Sequence, residues 1–260
     1  MWPILFRIGP LAIHTYGVLL AIGAGVGLWV LYRVGGRLGL DLDKLQSMAL
    51  WGLLSGVAGA RIGYVAIEPR YFLSHPLHIL ALWEGGLVFY GGVAAAVAVG
   101  AWLAGRWGMN RLKLLDAAAP ALAIGQAIGR LGCFAAGCCY GLPTKGWWAV
   151  VFNNPNTLAP RGIPLHPVQI YTSVGLGAIF LGLMWAIRHW YTPGRIISLY
   201  LLMHGLLRLG MEQLRGDWRG PIVALGLTPT GLMALGMVVI GGIGTIATLR
   251  RKGGASGVSG

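Results

Sequence analysis

Charge is what this chain has least of. Only 10% of its 260 residues are Asp, Glu, Lys or Arg, well under half of the ~25% of an ordinary soluble domain. Seven are acidic against 20 Lys and Arg, a formal net charge of +13. Long polar segments are missing too, so no water-soluble domain is appended: the longest connection between apolar runs covers 132–167. There is no internal repeat to mark an inverted-repeat transporter. The basic residues form no cluster with interleaved aromatics, which argues against nucleic acid as a partner. Attraction to anionic membrane lipids is the better account of the positive charge. No cleavable signal is apparent, because only Arg7 precedes the first apolar run and that run carries His14 and Tyr16 without a convincing cleavage site.

What is present is apolar: 56% of residues are hydrophobic and the mean hydropathy is +0.70. Apolar runs cover 11–32, 45–67, 87–104, 114–131, 168–187, 196–209 and 227–249, most of them near the ~20 residues of a spanning helix. The expectation is an all-α polytopic membrane protein of about seven transmembrane helices, with a small outer-side loop region after the fourth. Residues 1–252 form a single integral-membrane domain and 253–260 a disordered Gly/Ser tail. Eleven basic residues follow odd-numbered runs, from Arg33 to Lys252, against six on the other side. The cytoplasmic excess of Lys and Arg therefore puts the N-terminus outside and the C-terminus in the cytoplasm. The 44 glycines permit close helix contact, as at Gly23/Gly27, Gly52/Gly56 and Gly59/Gly63.

Three arginines, Arg61, Arg130 and Arg208, break the apolar pattern. Each costs roughly +2.5 to +3.5 kcal/mol near mid-membrane, so each requires an anion or a polar cavity. The expected outer ends of the helices collect His14 and Tyr16, Arg61 and Tyr64, Glu84 and Tyr90, Arg130, His166 and Gln169, then Arg208 and Glu212. The planar guanidinium fork binds phosphate oxygens bidentately and keeps its proton. Glu212, four residues beyond Arg208, lies on the same helical face and can hold that side chain. His204, one turn before Arg208, reads as a packed helix residue. An anion with a phosphate group is the ligand these residues fit.

At this point the motifs resemble a known family, the bacterial prolipoprotein diacylglyceryl transferases. The matches are HTYG from His14, GARIGYV from Gly59, WEGGLVFYGG from Trp83, GRLGCF from Gly129, GCCYG from Gly137, HPVQIY from His166 and RLGMEQLRGD from Arg208 to Asp217. They follow the family order across most of the chain. The resemblance implies transfer of the diacylglyceryl group from phosphatidylglycerol to the lipobox cysteine of preprolipoprotein signal peptides, without metal or diffusible cofactor. It makes Arg130 and Arg208 the catalytic arginines at the lipid phosphate, with Tyr16 and Tyr90 beside them. Arg61, Gly141, His166, Gln169, Glu212 and His14 become substrate-binding candidates. A bacterial inner-membrane location follows as well.

The chain departs from the family's best-known pattern in having Tyr90 for histidine, Cys133 for asparagine, and Cys138 and Thr172 for glutamates. A phenol with pKa ~10 is a poor base at neutral pH, so Tyr90 is expected to hydrogen-bond the phosphate or thiol instead. Cys133, Cys138 and Cys139 have neither the CxxC redox spacing nor a tetrahedral zinc set, and are expected to be small packing residues. Rival readings are a lipid or anion transporter, or a membrane thiol oxidoreductase built on those cysteines. If Tyr90 acts through its hydroxyl, Tyr90→Phe lowers transferase activity in purified protein. Full activity in that variant would remove Tyr90 from the site.

Overall fold

A computed structural model of the chain describes residues 2–9, 11–81, 86, 88–218 and 222–253. The fold is mostly helical and divides into two compact units, Met1–Arg33 with Leu115–Gly260, and Val34–Leu114.

The first unit opens with a hairpin that the hydropathy pattern concealed. Strands β1 (Ile4–Ile8) and β2 (Leu11–His14) pair antiparallel, with Ile8 opposite Leu11 and Ile4 opposite His14. Gly9 enters the turn at φ 59°, a conformation that costs a residue without Cβ little. Helix α1 therefore runs Thr15–Arg37, starting four residues later than the apolar run at 11. A continuous apolar stretch suits strand and helix alike, and the turn decides where one ends. Helices α5 (Arg111–Ala136), α6 (Val168–His189), α7 (Arg195–Glu212) and α8 (Pro229–Gly253) complete this unit.

Glycine sets the close approaches. A Cβ at Gly23 of α1 would lie 2.7 Å from the Gly125 carbonyl oxygen of α5, and one at Gly205 of α7 would lie 2.8 Å from Ala234 O of α8. Polar anchors do the rest. Asp116 on α5 is completely buried, and its carboxylate accepts from the backbone N–H of Gly194 at 2.6 Å and of Ile197 at 2.9 Å. It supplies the acceptors that the first turn of α7 lacks, at the positive end of that helix. Arg195, which the charge count assigns to a loop, is instead 4% exposed. Its guanidinium donates to Trp190 O at 2.8 Å and Thr248 O at 2.6 Å, tying the start of α7 to α8.

The second unit holds α2 (Leu42–Ile67), α3 (Pro69–Ser74), a short 3-10 turn (Pro76–Leu80) and α4 (Phe89–Arg106). Asp41 caps α2 through Oδ1, which accepts from Asp43 N and Lys44 N at 3.1 and 3.2 Å. Gly59 packs on α4, where a Cβ would meet Gly91 O at 2.6 Å, whereas Gly52 faces open space.

Among the described residues, five helices are long and apolar enough to cross a membrane: Thr15–Arg37, Leu42–Ile67, Arg111–Ala136, Val168–His189 and Pro229–Arg250. Large apolar side chains such as Leu53, Ile62, Val174 and Ile243 stand exposed on them, as a lipid-facing surface requires. Helix α4 adds a shorter apolar stretch, Gly91–Arg106. Helix α7 fits that description less well, since its 18 residues carry Arg195, Arg208 and Glu212. The chain is thus a polytopic membrane protein.

Removing the Asp116 carboxylate strands two buried backbone donors. Asp116→Ala should cost about 1–3 kcal/mol of stability. Thermal denaturation in detergent measures it, and Asp116→Asn, which keeps one acceptor, should lose less. An unchanged melting temperature in the alanine variant would contradict this role.

Candidate functional site

The site is built around the C-terminal turn of α5. Arg130 sits in its penultimate turn, and the helix ends in a left-handed cap. Cys138 N–H donates to Cys133 O at 3.1 Å and Gly137 N–H to Phe134 O at 3.3 Å, the paired bonds of a Schellman cap, with Gly137 at φ 76°. Only glycine fits there, since a Cβ would lie 1.9 Å from Thr157 Oγ1. The residues after the cap are pinned from elsewhere in the connection and from α6. Ala136 O accepts from Leu158 N at 3.1 Å, and Cys138 O accepts from Gln169 Nε2 at 2.8 Å. Gln169 is 1% exposed, and its Oε1 has no partner among the described residues.

This turn brings the cysteines together. Cys139 takes φ 58°, a left-handed conformation that costs a side-chain-bearing residue roughly 1–2 kcal/mol. The reversal folds it back, so the Sγ atoms of Cys133, Cys138 and Cys139 all lie within 4.8 Å of one another, unbridged and partly buried. Hydrogen bonds from Cys133 and Cys138 hold the Cys139 thiol well below its ordinary range, with Arg215 and Arg130 adding to the effect. Residues expected from sequence to be small packing residues thus form one sulfur cluster. Sequence spacing could not reveal it, because two left-handed residues set the convergence.

The connection 132–167 continues as a folded platform. Short strands β3 (Val150–Val151) and β4 (Pro164–Leu165) pair antiparallel over a core of Phe152, Ala159 and Leu165. Gly141 lies between two neighbours: its N–H donates to His166 O at 3.1 Å, while it bridges to Arg215 on the other side. A Cβ on Gly141 would stand 2.5 Å from His166 O, so its motif position is explained by backbone crowding. His166 contributes mainly its backbone here, its ring lying 3.4 Å from the Tyr171 hydroxyl.

Helix α7 ends in a closed polar ring. Arg208 Nη2 lies 3.0 Å from Glu212 Oε2 and donates to Thr230 Oγ1 at 3.0 Å. Thr228 Oγ1 donates to Glu212 Oε1 at 2.7 Å while accepting from Gly231 N at 3.2 Å, which makes Thr228 the N-cap of α8 ahead of Pro229. Both carboxylate oxygens of Glu212 are thereby engaged, and its side chain is only 6% exposed. Glu212 thus orients Arg208 from a position it shares with the start of α8.

Arg130 and Arg208 meet in one small cleft, lined also by Thr172, Leu176, His204, Leu207 and Met211. Among the described residues, no hydrogen bond or ion pair engages the Arg130 guanidinium. With Glu212 committed to Arg208, the cleft keeps a net positive charge. His204, read from sequence as packing, lines this cleft; its ring stacks at a tilt on Tyr200, 5.2 Å between centroids, and Nδ1 is buried without a partner among the described residues. The signal for it was the one-turn spacing to Arg208. Tyr16 lies against the same helix end: a Cβ on Gly132 would be 3.2 Å from its ring, and Arg130 and the three thiols are its electrostatic neighbours.

Of the remaining candidates, His14 and Arg61 are described and are not among the residues that line the cleft. His14 is exposed at the end of β2. Arg61 belongs to the second unit and is 5% exposed. Its guanidinium donates to Ile79 O at 2.9 Å, Ala81 O at 3.1 Å, Gly86 O at 3.2 Å and His78 O, beneath the rings of Tyr64 and Phe72. It organises the segment after the 3-10 turn. Glu84 and the side chain of Tyr90 lie outside the described residues.

Comparison with known sequences finds relatives along most of the chain. The family model for prolipoprotein diacylglyceryl transferase matches residues 3–247. The phosphatidylglycerol–prolipoprotein diacylglyceryl transferase of Clostridium tetani is 35% identical over 242 residues, covering 93% of this chain and 95% of that protein. Its namesake in Bordetella avium is 34% identical over 267 residues, covering 96% of each.

Proposed function

Because the chain belongs to the prolipoprotein diacylglyceryl transferase family, we propose that it transfers the diacylglyceryl group of phosphatidylglycerol to the lipobox cysteine of preprolipoproteins. The observation that carries this reading to particular residues is an Arg130 guanidinium with no hydrogen bond or ion pair among the described residues, in a cleft whose second arginine is already oriented. In the reaction the thiol sulfur attacks the glycerol carbon bearing the phosphate ester. A C–S bond forms, the C–O bond breaks, and its electron pair leaves with the glycerol phosphate. Negative charge grows on that phosphate, where preoriented arginines stabilise the transition state more than the ground state. Arg130 supplies the free fork and Arg208 the held one.

The thiol must lose a proton, since thiolate is the nucleophile. Tyr90 occupies the family's histidine position, and His204 is the imidazole lining this cleft. Arg130 on α5, and Tyr200 and Arg208 on α7, surround it, and its Nδ1 is buried without a partner among the described residues, which makes it the candidate to take the thiol proton. Tyr16 lies where it can reach the headgroup. Gly141, Gln169 and His166 act on the platform that positions the end of α5, and His14 stands exposed at the end of β2. We assign the two helices α4 and α7 to the membrane as well, giving seven spans, with the N-terminus outside and the C-terminus in the cytoplasm, as the Lys and Arg distribution favours. Signal peptides and phosphatidylglycerol would then both arrive from the bilayer.

Purified protein incubated with phosphatidylglycerol and a lipobox peptide should form thioether-linked diacylglycerol. Arg130→Ala should lower the rate about a hundred- to a thousandfold, as for loss of one preorganised donor. Absence of product from the unaltered chain, or an undiminished rate in Arg130→Ala, would overturn the reading. If His204 takes the thiol proton, His204→Gln lowers the transferase rate in the same assay. An undiminished rate in that variant would exclude it.

A further inference from the structure

We propose that Cys133, Cys138 and Cys139 form a three-thiolate site for a soft d10 cation, with copper(I) as the best-matched ion. Three observations carry it. The Sγ atoms lie within 4.8 Å of one another. Sulfurs about 2.3 Å from a central ion in a trigonal plane stand about 4 Å apart, so closing on the ion needs less than about 1 Å of movement. The backbone is arranged for this convergence: the Schellman cap sets Cys138 over Cys133, and Cys139 holds φ 58°, which folds its side chain back toward the other two. Packing alone would not require a cysteine in a left-handed conformation, and glycine would occupy it with less strain.

The donor set selects the ion. Thiolates favour soft metals, and among the described residues no fourth His, Cys, Asp or Glu joins the group. Zinc in structural sites takes four protein ligands, so three sulfurs suit it less well than an ion content with trigonal coordination. Three thiolates around one positive ion carry a net charge of −2, and Arg130 stands one helical turn before Cys133 on α5, a cation on the same helix end. The turn is stiff as well, with Cys138 O held by Gln169 and Ala136 O by Leu158 N. Little ordering remains to be done on binding. The site stands independently of the transferase reading, because it uses none of the cleft residues as ligands.

The test uses the full chain in detergent, reduced and desalted without oxygen, and titrated with copper(I) against a chelator of known affinity. One equivalent should bind, and X-ray absorption should report three sulfur neighbours. Serine at any one of the three positions should weaken binding by at least the roughly 10–100-fold that even outer-sphere partners supply. Without any substitution, loading should also protect all three cysteines from alkylation, which guards against a variant that fails to fold. Equal affinity in the Cys133→Ser/Cys138→Ser/Cys139→Ser variant would overturn the proposal. So would fewer than three sulfurs at the metal, unchanged alkylation on loading, or a disulfide between two of these cysteines in protein trapped directly from cells.

Discussion

A guanidinium in an apolar protein has to be answered by something, and most of this structure is arranged around those answers. Arg61 receives backbone carbonyls from Ile79 in the 3-10 turn and from Ala81 and Gly86 beyond it. Arg195 receives two carbonyls, from Trp190 and Thr248. Arg208 receives Glu212 and Thr230. In each case oxygen atoms already inside the fold replace water, so the charge is retained at tolerable cost. Arg130 is answered differently, by a cleft with Arg208 beside it and no protein partner among the described residues. In the proposed transfer its complement is the lipid phosphate, and this contrast sets it apart from Arg61, Arg195 and Arg208.

Helix ends carry the rest of the design. Asp116 reaches from α5 to cap α7, Thr228 caps α8 while holding Glu212, and Gly137 closes α5. A helix terminus exposes unsatisfied backbone groups, so its caps are strongly directional. Here the caps are shared between neighbouring elements. The orientation of Arg208 is consequently tied to the start of α8, and the end of α5 to the platform that follows it. Close glycine contacts, such as Gly23 on Gly125 and Gly205 on Ala234, keep these ends in register.

The turn after α5 is where the two chemical themes meet. Arg130 and Cys133 lie one helical turn apart, and Tyr16 packs against Gly132 between them. An arginine open to an anion and a cluster of sulfurs are therefore placed within one stretch of backbone. In the proposed transfer this stretch supplies the phosphate contact, while the sulfur cluster is held by the same cap that ends the helix.

Membrane residence, the apolar runs and the family motifs were legible in the sequence, because hydropathy is a sum over neighbouring residues and motif order is a property of the chain itself. So was the pairing of Arg208 with Glu212, since an i,i+4 spacing on a helix places two side chains on one face. Other features depended on residues far apart in the chain. Arg61 meets carbonyls 17 to 25 positions away, and Thr228 meets Glu212 across 16. The N-terminal hairpin followed from a turn at Gly9 that apolar content does not reveal, and the sulfur cluster from a left-handed Cys139. The sequence by itself determined where this protein resides and which residues carry charge there. Only the tertiary structure decided which of those charges the protein neutralises itself and which it leaves open, because that depends on the three-dimensional positions of oxygen atoms that no local pattern specifies.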